Sequence, residues 1–104
     1  MKFLALSALL ISTSVMAASV RITSFNYVRS GEALAELCGT VTDSASTPAF
    51  VRVQIDHTSN RPATYNTLTD TNGRFCVAVV TFRGTAEASV MNQNAPVVEA
   101  LIAQ

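Results

Sequence analysis

Cys38, Cys76, His57 and the carboxylates Asp56 and Asp70 are the residues of this 104-residue chain whose types suit chemistry. A nucleophilic cysteine needs a neighbouring base, and His57 is the only histidine available. Neither cysteine sits in a CxxC pair. Asp56 and His57 are adjacent in sequence, so on a strand they would point to opposite faces and would not act as a dyad. The chain has no G-x-S-x-G and no H-E-x-x-H, and its spacing shows no paired carboxylates on one face. Metal ligation needs three or four converging His, Cys or carboxylate groups. One histidine and a bridged cysteine pair do not supply that set, so neither a metal nor any other cofactor is expected. Asp70-Thr71-Asn72-Gly73 has the opening of a calcium loop but lacks its closing glutamate, and reads as a turn. The expectation is a protein without enzymatic activity.

Binding is the better class. The segment from His57 to Tyr65 holds the most varied hydrogen-bonding groups in the chain, and His57, Asn60, Arg61 and Tyr65 are its candidate contact residues. Arginine and tyrosine are enriched where interfaces carry their energy. The plainer reading of the same residues is a solvated loop between two strands.

The N-terminus reads as a cleavable secretory signal. Met1-Lys2 is a positive start, Phe3–Ile11 a short apolar run, and Val15-Met16-Ala17 supplies small residues for a signal peptidase. The run is too short for a membrane span, which needs about twenty residues. Cleavage after Ala17 is expected, or else after Ala18, leaving residues 18–104 as one domain in the periplasm or outside the cell. Lys2, the only lysine, leaves with the signal. Six arginines then face seven carboxylates, with no run of like charge. Such a chain has no long-range field for nucleic acid or an anionic membrane.

A domain this small buries only about 60–65% of its unfolded surface, so exported examples commonly add disulfides. An even cysteine count behind an export signal predicts one Cys38–Cys76 bridge. Hydrophobic periodicity after residue 19 is mostly two, which predicts strands. Val20–Val28 is β-branched and aromatic. Ala33–Asp43 reads as strand, although Glu32–Leu37 has the propensity for a helical turn. Phe50–Asp56 alternates cleanly, with Val51, Val53 and Ile55 on one face. Thr64–Thr69 is a polar, edge-like strand. Asp70–Gly73 predicts a hairpin or bulge turn. Arg74–Phe82 is apolar on both faces, which predicts a central strand. Thr85–Met91 and Val97–Ala103 follow. About seven short strands at regular spacing predict an all-β, antiparallel, immunoglobulin-like or transthyretin-like sandwich.

Gly39-Thr40-Val41-Thr42-Asp43, Pro48, Val51-Arg52-Val53 and Thr69-Asp70-Thr71-Asn72-Gly73-Arg74-Phe75 together resemble the carboxypeptidase regulatory-like domain. The resemblance covers roughly residues 38–80. It implies a transthyretin-like sandwich in which the G-x-V strand neighbours the G-x-F strand. That would make a bridge between Cys38 and Cys76 geometrically reasonable, although cysteines are not part of the family pattern. It also implies a non-catalytic module: a structural spacer, an adhesion part, or a protein or glycan contact. Segment 19–37 has no counterpart in that pattern. Two other roles suit the sequence. The weakly charged terminal strands suit a strand-exchanging subunit of a surface assembly, and a small secreted inhibitor is the other alternative.

Overall fold

The computed structural model describes residues 18–91, 93 and 95–103. The expected signal segment, residues 1–17, lies outside them. The described chain is all-β. Its seven strands are β1 (Ser19–Tyr27), β2 (Leu34–Thr42), β3 (Phe50–Ile55), β4 (Ala63–Leu68), β5 (Arg74–Val80), β6 (Thr85–Val90) and β7 (Val98–Leu101). They form two antiparallel sheets, ordered β1-β2-β5 and β4-β3-β6-β7. In the constant-type immunoglobulin order the fourth strand pairs with the fifth; here it pairs with the third.

Alternation builds the core. Val51, Val53 and Ile55 of β3 are fully buried, as are Ala86 and Ala88 of β6, Ala35 and Leu37 of β2, and Val79 of β5. Arg52 and Gln54 point the other way, exposed and half-buried. In β2, strong pairing on both sides overrides the helical propensity of Glu32–Leu37: Ala35 lies opposite Tyr27 of β1 and Val79 of β5. β1 does not alternate throughout. Its register runs Ile22↔Gly39, then Ser24↔Cys38, leaving Thr23 as the extra residue of a bulge. The bulge moves the inward phase from Val20 to Phe25, and both are buried.

Two sequence expectations need correction. β5 is an edge strand and β2 is the centre of its sheet. After Arg74, the outward residues of β5 are Cys76, which is bridged, small Ala78, and Val80, which stays 42% exposed. Apolar character on both faces therefore does not require a neighbour on both sides. The Asp70–Gly73 turn is also not a hairpin, because β4 and β5 belong to different sheets. It carries the chain across the sandwich. Asp70 Oδ1 accepts from the N–H groups of Asn72 (2.8 Å) and Arg74 (2.9 Å), and Gly73 adopts φ 80°.

Each side of the sandwich is fastened. On one, Ala103 N–H donates to the Phe25 carbonyl (2.9 Å), and Asn26 bridges Ala103 in parallel register. On the other, the Tyr65 hydroxyl of β4 accepts from the Val80 N–H of β5 at 2.9 Å. Both terminal strands thus pair within their own sandwich.

Candidate functional site

β3 ends at Ile55, and the next residue turns the chain sharply. Asp56 has φ 55°, a left-handed conformation that aspartate tolerates better than most residues. Its N–H donates to the Thr85 carbonyl at 2.9 Å, tying the bend to the start of β6. Its side chain is buried and points into the β5–β6 connection. Oδ1 accepts from the Thr81 hydroxyl (2.7 Å) and the Arg83 N–H (3.1 Å), and Oδ2 accepts from the Phe82 N–H (3.0 Å). Thr81 Oγ1 in turn accepts from the Gly84 N–H at 2.9 Å. One carboxylate thereby organises the whole turn 81–84.

The consequence is at the surface. Phe82 sits on that turn with 80% of its area exposed. Asn60, Arg61 and Arg83 share a shallow concavity with it. An exposed aromatic residue that shares its concavity with two arginines is thus displayed on a turn whose backbone is held from inside.

Burial acts to raise the Asp56 carboxyl, but hydrogen bonds from Phe82, Thr81 and Arg83 outweigh it and hold the group below its ordinary value. Hydrogen bonds from Arg74 and Asn72 lower Asp70 in the same way. Each contributes stability that is fully present above the unfolded carboxyl value, near 3.8, and is lost as pH falls through the folded one. Thermal melts from pH 7 to pH 2 should therefore show a falling Tm at the acid end. Asp56→Asn keeps an acceptor and tolerates the bend, so its acid limb should be shallower. An unchanged limb would remove Asp56 from that role. Asp56→Ala should cost about 2–4 kcal/mol in urea unfolding, because it leaves three donors without their acceptor.

The four residues predicted as one contact loop do not form one surface. Asn60 and Arg61 lie exposed beside Phe82. Tyr65 is half-buried and its hydroxyl ties the two sheets, so it is part of the frame. The His57 side chain is only 15% exposed and turns toward Glu99, with Nε2 3.6 Å from Oε2. It shares a cavity wall with Thr58, Thr85 and Glu99. Asp56 and His57 diverge as expected, although the bend, rather than strand alternation, is what separates them.

Sequence reasoning did not single out Phe82 or Arg83. An aromatic residue ahead of the Arg83-Gly84 turn was the available signal, but it read as the last residue of β5. Nor did it join His57 to Glu87 and Glu99, whose ligating atoms all lie within 4.8 Å of one another. That convergence needs the register of β6 and β7, where Glu87 and Glu99 are direct partners.

Cys38 and Cys76 are bonded and directly opposite in the β2–β5 ladder, with a Cα separation of 4.1 Å. They lie on the outward face, between buried Leu37 and Gly39 on one strand and beside buried Phe75 on the other. No family model, curated protein or solved structure matches the chain. The resemblance of residues 38–80 therefore rests on the sequence motifs themselves.

Proposed function

We propose that residues 18–104 form an exported, non-catalytic β-sandwich module, of carboxypeptidase regulatory-like kind, that binds a protein or glycan partner in the periplasm or outside the cell. The contact end is the surface of Asn60, Arg61, Phe82 and Arg83. The observation that carries this reading is Phe82, 80% exposed on a turn that the buried Asp56 carboxylate fixes. Aromatic and arginine side chains dominate binding energy at interfaces. A turn fixed before contact loses less freedom on binding. The disulfide supports an oxidising compartment. Among the described residues no helix is long and apolar enough to cross a membrane. Intramolecular pairing of β1 and β7 favours a self-contained module over strand exchange.

Screening the exported protein on a glycan array, and by cross-linking in its own compartment, identifies the partner. Phe82→Ala and Arg61→Ala should each weaken that contact at least about tenfold while leaving Tm nearly unchanged, as expected for exposed hot-spot residues. Full binding by the Phe82→Ala, Arg61→Ala double variant would overturn the assignment of this surface. Exported material should begin at Ala18 or Ser19; a chain retaining Met1 would refute export through a cleaved signal.

A further inference from the structure

We propose that His57, Glu87 and Glu99 form a binding site for one divalent first-row transition ion, with Zn2+ the expected occupant. The three residues come from separate elements: His57 from the bend after β3, Glu87 from β6 and Glu99 from β7. Their ligating atoms lie within 4.8 Å of one another, and His57 Nε2 is 3.6 Å from Glu99 Oε2. Zinc–ligand bonds of about 2.0–2.2 Å place tetrahedral ligands roughly 3.4 Å apart. Small rotations of the two glutamate side chains would close that difference on a backbone already fixed by sheet pairing.

Three further features favour a cation here. Glu87 and Glu99 are direct cross-strand partners, and like charges so placed repel. Among the described residues no arginine forms an ion pair with either glutamate; His57 is the partner of Glu99. The backbone that carries His57 is held in place, since Asp56 anchors the bend to Thr85, and the His57 side chain is only 15% exposed.

His57 Nδ1 and Thr85 Oγ1 are both buried without hydrogen-bond partners, and both residues line the cavity beside Glu99. A metal on Nε2 fixes the ring proton on Nδ1, and Thr85 Oγ1 is an unpartnered acceptor in the same wall. A ligating histidine commonly donates its second N–H to a nearby acceptor; here Nδ1 and Thr85 Oγ1 are not bonded to each other, so that contact would form only as the site closes on an ion. One imidazole and two carboxylates suit zinc-class ions, whereas Ca2+ and Mg2+ favour all-oxygen shells. The Glu99 side chain is 69% exposed, so the cluster is open to solvent on that side.

The test is titration of the tag-free exported protein with ZnCl2 by calorimetry, with CoCl2 as a spectroscopic probe. The expected result is saturable binding of one equivalent, a rise in Tm with Zn2+ but not with Mg2+, and visible Co2+ absorption of a low-symmetry N/O site. His57→Ala, Glu87→Gln and Glu99→Gln should each weaken binding by at least about tenfold, while Glu32→Gln binds normally. Glu99→Gln changes a mostly exposed side chain and keeps the fold, so the comparison survives if another variant fails to fold. No saturable binding, or undiminished binding by Glu99→Gln, overturns the proposal. The partner contact at Phe82 is read by separate variants and stands or falls independently.

Discussion

Removing the Cys38–Cys76 bridge is expected to lower the unfolding free energy by about 4 kcal/mol. The bridge closes a loop with a sequence separation of 38 residues, and the loop-entropy relation gives about that value for such a length. A typical domain has only about 5–15 kcal/mol in total, so the loss is a large fraction of the whole. The position of the pair makes the measurement clean. Both residues lie on the outward face of the β1-β2-β5 sheet, Cys38 half-buried and Cys76 exposed. Cys38→Ser with Cys76→Ser therefore opens no cavity in the core and buries no new polar group. The ladder around the pair also remains, since Leu37↔Val77 and Gly39↔Phe75 hold the same register on either side. Urea unfolding of the double variant against the oxidised protein reads the difference. A loss below about 1 kcal/mol would show that the unfolded chain is already restricted without the bridge. Titration of the unfolded, unreduced protein should find no free thiol.

Gly39→Ala is expected to destabilise the fold by about 3 kcal/mol or more. Glycine inside a strand ordinarily weakens it, so alanine at a roomy site would gain roughly 0.5–1 kcal/mol. Here the sterics reverse the sign. A Cβ on Gly39 would collide with the backbone carbonyl oxygen of Arg21 and come within 2.7 Å of the Phe75 ring. Arg21 belongs to β1, whose pairing with β2 holds that carbonyl in place, and the bulge at Thr23 lies two residues further along. Phe75 is the direct partner of Gly39 on β5 and is buried, covering the space the glycine leaves. Overpacking of a core costs about 1–3 kcal/mol when side chains yield; a clash with paired backbone costs more. A second substitution separates the two contacts. Phe75→Leu relieves the ring contact but not the carbonyl contact, so Gly39→Ala should remain nearly as costly in its presence. Substantial rescue by Phe75→Leu would place the strain on the ring instead.

Strand identity was legible because period-two patterning needs only local sequence. Val51-Arg52-Val53-Gln54-Ile55 shows it plainly, and the structure buries the three apolar residues of that run completely. The pairing of Cys38 with Cys76 was legible from count and context, and the role of Asp70 from the chemistry of its turn. Strand order was not legible. β5 read as central because its apolar residues occupy both faces, yet a disulfide, an alanine and a partly exposed valine account for its outer face without a further strand. The phase change in β1 was hidden for a similar reason. A single extra residue at Thr23 becomes visible only when its partners on β2 are counted.

By itself, the sequence determined the all-β class, the number and approximate limits of the strands, the disulfide and the turn at Asp70–Gly73. These follow from side-chain periodicity, from residue chemistry within a few positions, and from cysteine count. Only the tertiary structure decided which side chains meet. His57, Asn60, Arg61 and Tyr65 lie within nine positions of one another, yet the fold sends them to three places, because the Asp56 bend and the β4–β5 tie take His57 and Tyr65 away from the loop. Conversely, His57, Glu87 and Glu99 are far apart in the chain and converge because β3, β6 and β7 are neighbours in one sheet. Local sequence sets how each strand alternates; the register between strands sets what stands beside what, and that register is fixed by the packing of both sheets at once.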